Sequence, residues 1–264
     1  MNAQDILLGL KTWFKDYIRR FSSDDPVVQA SMDLKTDHTR RVCEAIVNIG
    51  GSLDLSREDL CLAEVAALLH DIGRFEQYRR YRTFSDYKSE DHAALGVKVI
   101  KANRVLHNLE PAMAEIIVRV VGYHNRAVLP AGEEERCLFF LKLLRDADKV
   151  DIWRVVTDYY QNAGHHRNHT LELDLPDEPR ISDPVYKALM NGKLVQMADI
   201  KTLNDFKLLQ IGWIYDINFP RAFQIVRENR YLEMIRDALP ETSVRVAEIY
   251  ERALTYLENN SHAT

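Results

Sequence analysis

Apolar residues recur every three or four positions along most of this chain, a spacing typical of helices that bury one face. The first segment, residues 3–21, shows the pattern at Ile6, Leu7, Leu10, Trp13, Phe14, Tyr17 and Ile18. Only 10 Gly and 8 Pro occur in 264 residues, so few positions interrupt it. The sequence therefore predicts an all-α fold with long helices.

Further helices are predicted by the same spacing, and two segments are predicted to be loops. The helical segments are 26–49, 60–69, 90–103, 111–124, 133–160 and most of 184–260. Residues 74–88 lack clear periodicity and are predicted to form a loop near the functional site, with the chain turning at Gly73. Residues 161–182, with His165, His166 and His169, are predicted to form a solvated surface loop. No linker is polar enough to mark a domain boundary. We therefore expect one domain over 1–264, with a core at about 26–160 and a helical C-terminal extension at about 184–260.

Composition limits the class of protein. The formal net charge of −5 does not favour a nucleic-acid or membrane-surface partner. The chain has no apolar stretch of about 18 residues and no basic-then-apolar leader at its start, so a membrane span or secretion signal is not expected. Cys43, Cys61 and Cys137 form no CxxC pair and lie in apolar helical patterns. Buried free thiols indicate a reducing setting, and we expect a cytoplasmic protein.

The dipeptide His70-Asp71 points most directly to chemistry. It ends the apolar run Val65–Leu69, where a carboxylate is expensive to bury without a partner. A metal ion would satisfy the imidazole and the carboxylate together. This donor pair suits divalent transition metals better than calcium.

Four more residues could complete such a site. His38 lies on the preceding predicted helix, His92 and His124 on the two that follow, and Asp148 on the next. Helical folds build metal sites from side chains that point inward from facing helices. Each histidine alone could equally be a hydrogen-bonded core or surface histidine, but their combination with His70-Asp71 favours a metal site.

This ordered set resembles the HD superfamily of metal-dependent phosphohydrolases, whose motif is H, then HD, then D. The segment Leu68–Phe75 (LLHDIGRF) is similar to the family's HD segment, and Asp146–Asp151 (DADKVD) to its last ligand segment. The resemblance covers roughly residues 30–155. It implies an HD-type helical domain in which His38, His70, Asp71 and Asp148 bind a divalent metal ion.

The resemblance extends to members with two metals, which have two further histidines between HD and the last Asp. His92 and His124 correspond to these, and Asp71 would then bridge the two ions. Unlike the cyclic-dinucleotide phosphodiesterase branch, this chain has Asn125 where a second adjacent His is usual, and it lacks the Gly-Tyr-Pro signature that follows. The expected cofactor is therefore a divalent transition metal, with two ions, and Mn, Fe, Ni, Co, Zn and Mg are not distinguished.

The expected activity is hydrolysis of a phosphomonoester or phosphodiester, nucleotide-like in size, by a metal-activated hydroxide. Asp71, Arg74 and Lys149 are the predicted catalytic residues, and Arg74, Arg82 and Lys149 the predicted substrate-binding residues. Arg74 occupies the position where relatives place a phosphate-binding basic residue, and guanidinium groups suit phosphate. The expected partner is a small phosphorylated substrate, while the oligomeric state stays open.

Two alternatives remain open at this point. The same six-residue set resembles the diiron oxygenases of the HD superfamily, such as inositol oxygenase, which act on small polar substrates. Bound iron, colour and oxygen uptake would identify that class. A non-catalytic regulatory HD module is the other alternative, and it would bind ligand tightly without turnover.

Overall fold

Helices are the only regular elements in the part of the chain that the computed structural model describes, residues 3–162 and 171–261, which confirms the predicted all-α fold. The predicted surface-loop histidines His165, His166 and His169 lie outside the described residues. The α-helices are α1 Ala3–Ile18, α2 Pro26–Gly51, α3 Arg57–Leu69, α4 Ile72–Tyr81, α5 His92–Ala102, α6 Pro111–Tyr123, α7 Glu135–Asn162, α8 Asp183–Met190, α9 Leu203–Gly212, α10 Pro220–Glu228, α11 Tyr231–Asp237 and α12 Val244–Ser261.

Local capping explains where the helices that carry the site begin. The Asp25 side chain accepts hydrogen bonds from the amides of Val27 and Val28, and Pro26 is the first residue of α2. Ser56 accepts from the amide of Asp59 and so caps α3. Short polar N-caps satisfy amides that have no partner inside the helix, and proline fits the first helical position.

The prediction of a loop over residues 74–88 is wrong for its first half. Residues 72–81 form α4, and its apolar residues Ile72, Phe75 and Tyr78 are buried at a spacing of three. The helix is short and rich in charged residues, so tertiary burial of one narrow face, rather than a strong sequence pattern, stabilises it. It ends at Tyr81, and the next residue, Arg82, has left-handed backbone geometry with φ 55°.

Gly73 is also inside α4, whereas the sequence predicted a turn there. A Cβ atom at Gly73 would lie 2.2 Å from the carbonyl oxygen of His92 and 2.6 Å from the amide nitrogen of Gly96. Both neighbours are backbone atoms of α5. The glycine therefore permits α4 and α5 to pack in direct backbone contact.

The chain divides into two compact units, Met1–Asp148 and Lys149–Thr264. In the first unit α3 contacts α1, α2 and α6, while α5 contacts α4 and α6. The alanines of α3, Ala63, Ala66 and Ala67, are at most 1% exposed, which lets neighbouring helices approach its axis closely.

The second unit is arranged around its last helix. There α12 contacts α8, α9, α10 and α11. It buries Val246, Ile249, Ala253 and Leu257, which are spaced three or four residues apart.

The prediction of a single domain with a helical extension stays a prediction. Among the described helices, none has the length and apolar character to cross a membrane.

Candidate metal centre

The six residues predicted to bind metal lie together in the first unit, although they come from five parts of the chain. The four histidines and Asp71 are at most 5% exposed, and the side chain of Asp148 is 20% exposed. Their positions are His38 within α2, His70 and Asp71 at the junction of α3 and α4, His92 at the start of α5, His124 directly after α6 and Asp148 within α7.

The junction of α3 and α4 allows two adjacent side chains to reach the same site. Adjacent residues of a continuous helix point about 100° apart. Asp71 leaves helical geometry, with φ −101° and ψ 13°. This break brings the carboxylate of Asp71 beside the ring of His70, whose Nε2 lies 3.8 Å from Asp71 Oδ2.

One group of ligand atoms surrounds the Oδ2 atom of Asp71. The Nε2 atoms of His38 and His70 are 3.3 Å apart, and His38 Nε2 lies 3.6 Å from Asp71 Oδ2. Asp148 Oδ1 lies 3.1 Å from His38 Nε2 and 3.8 Å from His70 Nε2. These four side chains could hold one metal ion between them.

A second group surrounds the other oxygen of the same carboxylate. His92 Nε2 and His124 Nε2 are 3.0 Å apart. They lie 3.4 Å and 3.9 Å, respectively, from Asp71 Oδ1. Asp71 therefore presents one oxygen to each group of histidines.

The hydrogen bonds at the far side of three rings fix which nitrogen carries the proton. His70 Nδ1 donates to the carbonyl of Ala67 at 2.6 Å, and His124 Nδ1 donates to that of Val121 at 2.8 Å. A carbonyl oxygen can only accept. His92 Nδ1 faces a carboxylate oxygen of Asp86 at 2.6 Å. In each neutral ring the Nε2 lone pair therefore points into the site.

Opposed lone pairs at these distances fit a cation. Two lone pairs 3.0 Å apart, as on His92 and His124, repel unless positive charge lies between them. Ligand atoms about 2.0–2.2 Å from a shared ion, at angles of 90–110°, are roughly 2.8–3.6 Å apart. Most separations within each group fall in or near this range, and imidazole with carboxylate is a donor set for divalent transition metals.

The ionisation of the site also suits a metal. Burial lowers the pKa of His92 and of His124 to about 4, and it lowers the pKa of His70. These rings are therefore neutral at pH 7, the form that binds metal. Burial acts to raise the pKa of Asp71, but Lys35 and the other nearby cationic groups outweigh it and hold that pKa well below its usual value.

The three basic residues predicted to bind substrate have different surroundings. Arg74 Nε lies 3.4 Å from Asp71 Oδ1, and Arg74 Nη1 donates to Asp86 Oδ1 at 2.8 Å. Lys149 is buried in the second unit, with its Nζ 2.6 Å from Asp216 Oδ2. Arg82 is exposed at the end of α4 and is not part of the buried cluster. Arg74 is therefore placed against Asp71, a residue of the cluster in the first unit.

Lys35 is a site residue that the sequence analysis missed. Its Nζ donates to Asp71 Oδ2 at 2.7 Å and lies 5.4 Å from the ring centroid of Phe84, with 17% of its side chain exposed. The available signal was its position three residues before His38. Residues three apart share a helix face, so Lys35 and His38 point to the same side of α2.

Asp86 and Asn125 were missed as well. Asp86 begins a short 3₁₀ helix, Asp86–Lys88, and accepts from His92. Asn125, which stands where a second histidine is usual in one HD branch, donates to Asp91 Oδ1 at 3.1 Å and so ties the end of α6 to the cap of α5. No local pattern in the sequence marks either contact.

Comparisons with known proteins agree with this geometry. Residues 36–153 match the family model of the HD domain. Over 117 residues the chain is 32% identical to the Bacillus subtilis (strain 168) protein named "Putative phosphohydrolase YueE"; the match spans 43% of this chain and 59% of that protein. No solved structure matches the chain significantly. All six clustered residues fall within the region that matches the HD domain model.

Proposed function

We propose that this chain is a metal-dependent phosphohydrolase that cleaves a phosphomonoester or phosphodiester of nucleotide size. The observation that carries the proposal is the placement of Asp71, whose two carboxylate oxygens each face a separate pair of histidine Nε2 atoms. The similarity to a protein whose name includes phosphohydrolase supports the same reaction class.

In this proposal the six clustered side chains hold two divalent ions. His38, His70 and Asp148 would hold one ion, His92 and His124 would hold the other, and Asp71 would contribute to both. Divalent ions bound there would lower the pKa of a bound water to about 7 and place positive charge against a phosphoryl oxygen, and both effects favour ester hydrolysis. The reaction would join the oxygen of water to phosphorus and break the phosphorus–oxygen ester bond, and the alcohol would leave with the proton that the water gives up.

The cation that we place against the substrate is Lys35. Its ammonium group reaches the edge of the cluster from α2 and remains partly exposed, so an entering phosphate can meet it. A phosphoryl oxygen would replace Asp71 Oδ2 as its hydrogen-bond acceptor. Asp71, Arg74 and Lys149 stay predictions as catalytic residues, and Arg74, Arg82 and Lys149 stay predictions for substrate binding.

Positive charge beside the cluster favours the hydrolase over the alternatives. Two cationic side chains, Lys35 and Arg74, lie against the carboxylate that would bridge the ions. Such charge complements a phosphate more directly than an uncharged polar substrate. All six candidate ligand residues are present in one cluster. This favours an enzyme over a regulatory module, since a module without catalytic activity would be expected to lack some of these ligands.

The test combines metal analysis with turnover. Protein purified without added metal is analysed for elemental content, then assayed with p-nitrophenyl phosphate and bis(p-nitrophenyl) phosphate. We expect about two transition-metal ions per chain and hydrolysis of at least one ester. His70→Ala should abolish turnover and reduce the metal content, whereas His107→Ala, which alters an exposed histidine outside the cluster, should leave both unchanged.

Two outcomes would overturn the proposal. Iron at two ions per chain, with oxygen uptake and no ester hydrolysis, would identify an HD-type oxygenase instead. Absence of bound metal even after reconstitution with Mn²⁺, Co²⁺, Ni²⁺, Zn²⁺ or Fe²⁺ would show that the cluster is not a metal centre.

A further inference from the structure

Asp86 occupies an unusual position beside the candidate metal centre. Its Oδ2 accepts the Nδ1 proton of His92 at 2.6 Å, on the side of the ring opposite to the cluster. His70 and His124 use main-chain carbonyls for the same purpose, at Ala67 and Val121. Among these three rings, His92 is the one held by a carboxylate.

The other oxygen of Asp86 is held in place by α4. Asp86 Oδ1 accepts from Arg74 Nη1 and from Gln77 Nε2, each at 2.8 Å. Gln77 is fully buried, and its Nε2 also donates to Ser89 Oγ at 2.9 Å and to the carbonyl of Glu90 at 2.8 Å. These contacts hold the segment between α4 and α5 against α4, and they orient the carboxylate of Asp86.

The acidic residues here do not form a separate ion site. Asp86, Asp91 and His92 offer ligand atoms within 4.8 Å of one another. Their atoms already have protein partners, because Asp86 receives the donors just described and Asp91 accepts from the amides of Ala93 and Ala94. The group is therefore a hydrogen-bond network around one histidine.

We infer that Asp86 is a positioning residue for His92: it holds the proton on Nδ1, aims the Nε2 lone pair at the Asp71 side, and so sets the affinity of the ion held by His92 and His124. This inference rests on the proposed function, because it requires that second ion position. A carboxylate behind a ligating imidazole fixes its tautomer and orientation and raises its basicity. Arg74 then acts within this network, linking Asp71 to Asp86.

The substitution Asp86→Asn tests the inference sharply. Asp86 offers two acceptor oxygens to donors on four residues, His92, Arg74, Gln77 and Asn125, and the asparagine amide offers only one such oxygen. If the amide nitrogen faces His92, the ring must keep its proton on Nε2, which then points a donor into the ion site. If it faces α4, it opposes the donors of Arg74 and Gln77.

The readout is metal occupancy, measured by titration of Mn²⁺ or Zn²⁺ against a competing chelator. We expect wild-type protein to bind two ions and Asp86→Asn to bind the first ion normally but the second roughly 10- to 100-fold more weakly. Glu90→Gln is the matched control. It removes a carboxylate from the same segment that pairs with Lys98 at 2.5 Å rather than with His92, and it should bind like wild type.

A second measurement does not depend on whether Asp86→Asn folds. In metal-free wild-type protein labelled with ¹⁵N-histidine, the resonances absent from a His92→Gln variant should show the proton on Nδ1. A proton on Nε2 would overturn the inference. If Asp86→Asn binds two ions with unchanged affinity, the role of Asp86 is overturned and the proposed function still stands. If wild-type protein binds one ion or none, the second ion position itself is wrong, and the role inferred for Asp86 fails with it.

Discussion

At the scale of the residue, Asp71 is a buried carboxylate held among charged and hydrogen-bonding groups of the first unit. Its side chain is 4% exposed, and it is surrounded by histidine rings, the ammonium of Lys35 and the guanidinium of Arg74. Buried carboxylates persist when charged or hydrogen-bonded partners replace water. The sequence identified the need for a partner at His70-Asp71 and the nearby arginine. It could not identify Lys35, because that assignment depends on which face of α2 turns toward the α3–α4 junction.

Lys35 gives a prediction at this scale. Lys35→Met should reduce kcat/KM for the phosphoester substrate about 10- to 150-fold, the equivalent of losing a charge-assisted hydrogen bond of about 1.5–3 kcal/mol. Metal content should be retained, since no ligand atom is removed. The measurement is steady-state kinetics together with elemental analysis.

The control for this variant is Lys98→Met, which alters a lysine whose side chain is 67% exposed and paired with Glu90. It should leave kcat/KM unchanged. Unchanged kcat/KM in Lys35→Met would contradict the assigned role, and loss of metal would make Lys35 part of the support of Asp71 instead.

At the scale of the element, the α4–α5 pair shows why one helix was missed. The buried apolar positions of α4 number only three in its first seven residues, and most of the other positions are polar or charged. What secures the helix is contact with α5 and the network around Gln77, and both are tertiary effects. By contrast, α2 and α3 carry N-caps and long apolar repeats, so their existence was predictable from local sequence.

Gly73→Ala provides a test of this helix pair. Alanine normally stabilises a helix interior by about 0.5–1 kcal/mol relative to glycine. At Gly73 the added methyl would meet backbone atoms of α5 at 2.2 Å and 2.6 Å, so the helices must separate. We expect the free energy of unfolding to fall by about 1–3 kcal/mol, the usual cost of overpacking. Urea unfolding followed by circular dichroism measures this change.

The comparison variant is Gly9→Ala in α1, where an added Cβ has nothing within 4 Å. It should raise the free energy of unfolding slightly. A gain in stability from Gly73→Ala as well would show that α4 and α5 are not held as closely as the structure has them.

At the scale of the whole molecule, all six candidate ligand residues belong to the unit Met1–Asp148. They span 111 positions of the chain, from His38 to Asp148, so the cluster exists only when the helices are packed. The division into two units has no signal in the sequence, because α7 runs through the boundary without a glycine or proline. The six candidate residues could be selected from the sequence, since each kind of side chain is rare in an apolar helical setting, and their role as metal ligands stays a prediction.

Metal removal should therefore lower the stability of the protein. An ion that binds only the folded state at 100 times its Kd adds about 2.7 kcal/mol, which corresponds to a Tm increase of about 5–11 °C for a protein of this size. We expect a chelator to lower Tm and added Mn²⁺ or Zn²⁺ to restore it, as measured by thermal unfolding. The restoration should be much reduced in His70→Ala and preserved in His107→Ala. An equal shift in both variants would place the stabilising ion elsewhere.

The shared carboxylate of Asp71 has a thermodynamic consequence for any pair of ions held there. With one oxygen turned toward each group of histidines, neither position can fill without changing the charge and mobility of a ligand that the other also uses. Their affinities are then linked, and linkage is reciprocal: whatever factor the first ion imposes on the second, the second imposes on the first. The two ions would then bind as a coupled pair as their concentration rises. A substitution at Asp86 that weakens the ion held by His92 and His124 would also change the affinity of the ion held by His38 and His70, because Asp71 contacts both positions.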